Sequence, residues 1–149
     1  MGLSNRDAEL KASVAIASRI LNAEGILDYS GHVSARAPHR DAYFIQAGSD
    51  PRSDLMPDRL LLVDFDGRVL EGDGKPPIEA AIHGEIYRAR GDVEAVLHSH
   101  MELAIAFTLM KDAQLKPMRA RAVRWSSGIP THPDASHIKL PEQGRRSEE

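Results

Sequence analysis

The sequence predicts an α/β fold, because segments with helical periodicity alternate along the chain with short apolar runs bounded by turn residues. Residues 7–25 carry apolar side chains every three to four positions, the pattern of an amphipathic helix. Residues 58–74 place two apolar runs around Asp66-Gly67, which is the strongest short-range signal for a β-hairpin. The 149 residues have the length of one domain, and no internal repeat or linker divides them.

The same signals assign the rest of the chain. Gly25 is expected to cap the first helix, and a second helix is expected to begin near Pro77 and to end before Gly91. Further strands are predicted at residues 29–36, 41–48, 93–100 and 118–123, and a third helix is predicted at residues 101–111. The polar end at residues 141–149 is expected to be a disordered tail of the single domain 1–149.

Composition excludes several functional classes. The net charge of −3, with basic residues scattered along the chain, gives no electrostatic footprint for nucleic acid. No apolar run approaches the roughly 18 residues that span a bilayer, and residues 1–11 lack the apolar core of a signal peptide. A cytoplasmic protein without a membrane or nucleic-acid partner is therefore expected. Cysteine is absent, which leaves His, Asp and Glu as the strong metal ligands.

Two histidines one residue apart follow the apolar run at residues 95–97. Side chains alternate between the faces of a strand, so His98 and His100 are expected on one face, about 6.6 Å apart along the chain, with Ser99 on the other. Two neutral imidazoles placed in this way can bind one divalent ion at about 2.0–2.1 Å. The pattern therefore favours a metal site over two histidines that only pack at a strand end.

Other metal-binding families that use the H-x-H pattern fit this chain less well. A metallo-β-lactamase would have Asp-His directly after the pair, where this chain has Met101-Glu102. A cupin would be rich in β-strands, whereas residues 101–109 look helical. An amidohydrolase barrel needs more residues than this chain offers. What remains is an α/β domain in which a helix that carries a carboxylate precedes the H-x-H strand.

Glu79 supplies a carboxylate at the start of the second predicted helix, where an anionic side chain is favoured. His83 and Tyr87 follow on roughly the same helix face, where either could orient Glu79 or pack against the sheet. We assign His83 to packing. From these residues alone, an ordinary first-turn glutamate is favoured over a catalytic one.

Three segments and their order give the chain a resemblance to a known family. "GHVSAR", "LLLVDFDGRVLEGDGKPPIE" and "IHGEIYRARGDVEAVLHSH" together resemble the class II aldolase/adducin family of metal-dependent lyases, from about residue 8 to about residue 130. The resemblance implies a three-layer α/β/α fold with a central mixed, mostly antiparallel sheet. It also implies that His98 and His100 bind a divalent metal and that Glu79 acts as acid or base beside it.

The residues that differ from the phosphosugar aldolases of the family indicate another substrate. Where those enzymes typically have Gly-Asn and a Ser-Ser pair to hold a phosphate, this chain has Gly31-His32 and Pro76-Pro77. Proline offers neither an N–H nor a hydroxyl, so a phosphorylated substrate is disfavoured. This variant resembles the decarboxylase branch. The resemblance then implies His32 as a proton donor or substrate contact, with Gly31, Arg36 and Ser49 as further substrate contacts.

The third metal histidine of the family has no counterpart at the expected distance. It lies roughly sixty residues after the H-x-H pair, and His132 and His137 come too early to match it. The sequence thus resembles the first two thirds of the family, with the C-terminal part missing. An interrupted reading frame, a site completed by a neighbouring subunit and a form that does not turn over all stay open, and the resemblance implies a homo-oligomer, typically a tetramer.

The expected activity follows from the decarboxylase branch. We expect decarboxylation of a hydroxylated aromatic or ring-opened dicarboxylate through an enolate stabilised by a divalent ion, with zinc as the first choice and manganese or another divalent ion as alternatives. A class II aldolase acting on a small sugar or sugar acid and a non-catalytic, adducin-like interaction module both stay open. A hydrolase is disfavoured, because the chain has no G-x-S-x-G motif, no H-E-x-x-H motif and no cysteine.

Overall fold

A computed structural model describes residues 5–111 and 120–129 and shows an α/β fold built on one sheet. The helices are α1 (Asn5–Ala23), α2 (Ala80–Ala89) and α3 (Glu102–Thr108), and the strands are β1 (His32–Arg36), β2 (Ala42–Gln46), β3 (Leu60–Asp64), β4 (Val69–Glu71) and β5 (Ala95–His98). Each of these elements lies within a segment for which the sequence predicts that type of structure, with one small exception. Helix α1 begins at Asn5, shortly before the predicted start at residue 7. No helix in the described part of the chain is long and apolar enough to cross a membrane.

The five strands form one open sheet in the order β4-β3-β2-β1-β5, and every pairing in it is antiparallel. The prediction of an α/β fold with a mostly antiparallel sheet is confirmed. Strands β1 and β5, the first and the last along the chain, pair at one edge of the sheet, where His32 lies opposite His98. This non-local pairing brings the two histidine-containing segments together.

Alternation along the strands divides the core between two faces of the sheet. On one face, Val33 and Ala35 of β1 pack in a cluster with Val14 and Ala15 of α1. On the other face, a second cluster joins β2, β3 and β5 to Tyr87 of α2. The sheet therefore lies between α1 and α2, so that residues 32, 34 and 36 of β1 face α2 rather than α1.

Three contacts fix α2 against its face of the sheet. The buried hydroxyl of Tyr43 donates a hydrogen bond to the carbonyl of Ala80 at 2.9 Å, which holds the first turn of the helix. Gly84 lies so close to the β3–β4 turn that a Cβ atom there would be 2.5 Å from the carbonyl oxygen of Phe65. The guanidinium of Arg36 donates to the carbonyls of Tyr87, Arg90 and Val93 at the end of the helix.

The predicted strand at residues 118–123 is wrong for the part that the structure describes. Residues 120–125 form a 3₁₀ helix, and Val123 is 69% exposed. Alternating apolar residues stabilise a strand only when one face is buried against the core, and this segment has no such face among the described residues. The tail predicted at 141–149 lies outside the described residues.

We predict that Gly84→Ala destabilises the protein, because the added methyl group would displace either α2 or the backbone of Phe65. Overpacking of this kind costs about 1–3 kcal/mol. Gly91→Ala is the matched control, since a Cβ atom there meets nothing within 4 Å. The free energy of unfolding from urea titrations should fall for Gly84→Ala and stay level or rise for Gly91→Ala. Equal stability of the two variants would show that α2 does not depend on this close approach.

Candidate metal centre

Three potential ligand atoms converge where β5 ends beside the start of α2. The Nε2 atoms of His98 and His100 lie 2.7 Å apart. One carboxylate oxygen of Glu79, Oε2, is 3.2 Å from Nε2 of His98 and 3.8 Å from Nε2 of His100. All three side chains are partly buried, with exposed fractions of 17–34%. Two imidazole nitrogens and one carboxylate oxygen could therefore meet a single ion.

Glu79 is held at this point by the segment that precedes it. It is the N-cap residue of α2, but its side chain makes no capping hydrogen bond, so the carboxylate is available to the histidines. Pro77 and Pro76 come just before it and pack on the loop after β2, where the N–H of Gly48 donates to the carbonyl of Lys75 at 2.9 Å. The carboxylate thus lies at a helix N-terminus, where negative charge is stabilised.

His100 reaches the site by a different route from the one that strand alternation predicts. β5 ends at His98, and His100 lies beyond it with its ring at 83° to that of His98. The backbone leaves the strand, yet the two Nε2 atoms still meet. Nδ1 of His100 lies 3.5 Å from the hydroxyl of Ser30. The hydroxyl and the backbone N–H of Ser30 both donate hydrogen bonds to the carboxylate of Asp28. Such outer hydrogen bonds orient a ligating imidazole.

His32 lies beside this group and is tied to residues that the sequence analysis did not connect to it. Its ring stacks on that of His98 with centroids 4.9 Å apart. Its Nδ1 is 2.7 Å from Nε2 of His83, and Nδ1 of His83 is 2.6 Å from the hydroxyl of Ser34. That hydroxyl is in turn 2.7 Å from the hydroxyl of Tyr87. The assignment of His83 to packing was therefore incomplete.

Burial keeps these imidazoles neutral. Burial lowers the pKa of His32 to about 3, and the neighbouring His98 adds to that effect. Burial also lowers the pKa of His83 well below its ordinary value. Burial lowers the pKa of His98 as well, although the carboxylate of Glu79 opposes the shift. A neutral imidazole has the free lone pair that metal binding requires.

A cavity of about 690 Å³ opens beside Glu79 and His100, two of the three residues that supply the converging atoms. Its wall includes His32, Ser49, Glu79 and His100, all of which the sequence analysis singled out. Gly31 is not part of this wall. A Cβ atom at Gly31 would be 2.6 Å from Leu27 and 3.1 Å from the carbonyl of His98. The glycine therefore allows the start of β1 to approach the end of β5 closely.

Arg36 does not reach this cavity. Its guanidinium donates to three backbone carbonyls at the far end of α2 and lies over the rings of Phe65 and Tyr87. The structure thus gives Arg36 a role in holding α2, and it separates Arg36 from the candidate metal ligands.

Arg52 is the cation that the sequence analysis missed. It lines the cavity, and it is buried, with its Nε donating to the carbonyl of Gly31 at 2.8 Å and its Nη1 to that of Asp50 at 2.9 Å. Its Nη2 has no hydrogen-bond partner in the described part of the chain. Lys75 adds a second positive charge to the same wall. No local motif marks Arg52, because its position depends on contacts between two loops.

The residues present fit a divalent metal ion. Imidazole nitrogen and carboxylate oxygen are the donor set that zinc and related ions take, and the three donor atoms lie within 3.8 Å of one another. The ligand atoms of His32, Glu79 and His98 also lie within 4.8 Å of one another, so distance alone does not choose between His32 and His100 as the third ligand. His132 and His137 lie outside the described residues.

Comparison with known proteins identifies relatives over most of the chain. Residues 12–147 match the family described as Class II Aldolase and Adducin N-terminal domain. An L-fuculose phosphate aldolase of Methanocaldococcus jannaschii is 24% identical over 140 residues, which is 93% of this chain and 75% of that protein. The decarboxylase NovR of Streptomyces niveus is 40% identical over 72 residues, which is 47% of this chain and 27% of that protein.

A solved structure agrees with the fold. An aldolase II superfamily protein from Pseudomonas syringae superimposes with a TM-score of 0.75 at 29% sequence identity, over 83% of this chain and 51% of that protein. This chain therefore spans about half the length of that relative and about a quarter of the decarboxylase.

Proposed function

The chain belongs to the family of class II aldolase and adducin N-terminal domains, and we propose that it is a metal-dependent carbon–carbon lyase that decarboxylates a small hydroxylated aromatic or ring-opened dicarboxylate. The observation that carries the proposal is the convergence of Glu79, His98 and His100 beside a cavity that is lined by Glu79, His100 and Arg52. In such a site a bound divalent ion supplies Lewis-acid stabilisation of negative charge on a substrate oxygen.

The side chains of the cavity account for the remaining requirements of a decarboxylation. The bond between the substrate and its carboxylate carbon breaks, carbon dioxide leaves, and the electron pair stays on the carbon skeleton as an enolate. That carbon must then receive a proton. The proton would come from solvent through a group at the cavity wall, where Glu79 and His32 are the candidates. Glu79 could hold this proton only while its carboxylate is not bound to the ion, because a protonated carboxyl group has lost the charge with which it binds a metal.

Arg52 is suited to bind a substrate carboxylate. Backbone carbonyls fix its guanidinium, so little side-chain freedom is lost when its remaining N–H groups bind an anion. A charged hydrogen bond in a partly buried site is stronger than one between neutral groups. Arg52 therefore replaces Arg36 as the proposed carboxylate clamp, with Ser49 and His32 as neighbouring polar contacts.

A second candidate function is an aldolase that acts on a sugar phosphate. The observation that favours it is the similarity to the L-fuculose phosphate aldolase over 93% of this chain, whereas the similarity to the decarboxylase covers 47% at higher identity. The two reactions share the enolate and differ in the group that leaves, which is carbon dioxide or an aldehyde. The anion that the cavity prefers is the property that separates them.

We predict that His98→Ala/His100→Ala lowers the affinity for Zn²⁺ and Mn²⁺ by at least about tenfold, because two of the three converging donor atoms are removed. The measurements are calorimetric titration and the metal content of protein purified without chelator. His39→Asn is the control, since it removes an exposed imidazole at a backbone φ of 57°, which Asn tolerates. Equal metal affinity of the double variant and the parent would contradict the site, and a protein that binds no metal would favour a non-catalytic interaction module.

We predict that the metal-loaded protein binds a hydroxy-dicarboxylate more tightly than inorganic phosphate or a sugar phosphate, because Pro76 and Pro77 offer no hydrogen-bond donor. Competition titrations with the three anions measure the preference. Lys75→Met should weaken dicarboxylate binding by a few fold, whereas Arg68→Met, which removes a charge from the β3–β4 turn, should leave it unchanged. Preferred binding of the sugar phosphate would favour the aldolase.

A further inference from the structure

A buried chain of hydrogen bonds runs from α2 to the cavity wall. It joins the hydroxyl of Tyr87, the hydroxyl of Ser34, the ring of His83 and Nδ1 of His32, with successive distances of 2.7, 2.6 and 2.7 Å. All four side chains are at most 1% exposed. The chain ends at Nε2 of His32, which is buried and has no hydrogen-bond partner in the described part of the chain.

The direction of these hydrogen bonds follows from the end that lies farthest from the cavity. In the described part of the chain, the hydroxyl of Ser34 is the only hydrogen-bond partner of the Tyr87 hydroxyl. If Ser34 donated to Tyr87, the phenol hydrogen would be buried without an acceptor, which is costly. The phenol hydrogen is therefore donated to Ser34.

The remaining protons are then assigned one after another. Ser34 accepts from Tyr87 and donates its own hydrogen to Nδ1 of His83. A neutral imidazole carries one proton, so His83 holds it on Nε2 and donates it to Nδ1 of His32. His32 therefore accepts at Nδ1 and carries its proton on Nε2, the atom without a partner.

We propose that Tyr87, Ser34 and His83 are positioning residues that fix His32 as an Nε2–H donor toward the substrate, so that His32 is not a third metal ligand. A metal ligand needs a bare lone pair at the ligating nitrogen, and in this arrangement the nitrogen is protonated. The inference rests on the proposed function for the identity of the group that accepts this hydrogen bond. The natural acceptor is a substrate carboxylate or carbonyl oxygen held beside Glu79.

The stacked arrangement of His32 and His98 supports the same assignment. Their rings are stacked, with planes inclined by 24° at a centroid distance of 4.9 Å, and an ion bound in the plane of one stacked ring lies outside the plane of the other. The rings of His98 and His100, by contrast, are inclined by 83° with their Nε2 atoms 2.7 Å apart. His100 therefore suits the metal position and His32 suits the position of a neighbouring donor.

The direct test is the proton position on His32 in the full chain without added metal, read from long-range ¹H–¹⁵N NMR spectra of protein labelled at histidine. We expect a protonated Nε2 and an unprotonated Nδ1 for His32. Tyr87→Phe removes the first donor of the chain and should populate the reverse tautomer as well. Ser18→Ala is the control, because it removes a buried hydroxyl that donates to Gln46 between α1 and β2, away from α2, and it should leave His32 unchanged. A bare Nε2 in the parent protein would overturn the proposal.

A measurement of metal affinity is the second test of the proposal. His32→Gln keeps an N–H donor, so the affinity for Zn²⁺ should change by less than about threefold, whereas loss of a true ligand would lower it by about tenfold or more. A tenfold loss would overturn the proposal. Should the parent protein bind no metal while Nε2 of His32 is protonated, the proposed lyase function fails and the hydrogen-bond chain stands. If His32→Gln does not fold, the NMR measurement on the parent and Tyr87→Phe proteins still decides.

Discussion

The antiparallel pairing of β1 with β5 is the constraint on which the candidate site depends. It places His32 opposite His98, and alternation then turns both side chains toward α2. A slip of β5 by one residue in this register would move His98 to the face that packs against α1, away from His32. Gly31 favours the pairing, since a Cβ atom there would lie 2.6 Å from the side chain of Leu27 and 3.1 Å from the carbonyl oxygen of His98.

The candidate site also depends on the position of α2 on this face of the sheet. Its first turn, held by Tyr43, presents Glu79 to the two imidazoles that follow β5, and its middle turns present His83 and Tyr87 to β1. One helix therefore supplies a carboxylate to the ligand group and also the hydrogen bonds that orient a neighbouring histidine. Arg36 secures the far end of the same helix, which explains why this arginine lies there and not in the cavity.

Much of this arrangement could be predicted from the sequence, because it depends on local patterns. The hairpin around Asp66-Gly67, the start of α2 at Glu79 and the strand before the H-x-H pair each carry a signal within a few neighbouring residues. The substrate roles predicted for Gly31 and Arg36 did not gain support from their positions, since neither residue lines the cavity.

The features that sequence reasoning missed are non-local. His83 and Ser34 belong to elements far apart in the chain, and nothing in the helical pattern of α2 shows that Nε2 of His83 meets His32. Arg52 joins the cavity through contacts between two loops. The strand prediction for residues 118–123 was wrong for the opposite reason. The alternating pattern of this segment is local, but among the described residues it gains no buried face, and residues 120–125 form a 3₁₀ helix.

The central claim is that Glu79, His98 and His100 hold a divalent ion while His32 stays outside its coordination shell. Anomalous diffraction at the zinc edge from crystals grown with Zn²⁺ measures this most directly. We expect one peak at about 2.0–2.2 Å from Nε2 of His98, Nε2 of His100 and a carboxylate oxygen of Glu79, with Nε2 of His32 beyond bonding distance. A zinc ion bonded to Nε2 of His32, or no ion at the end of β5, would contradict it.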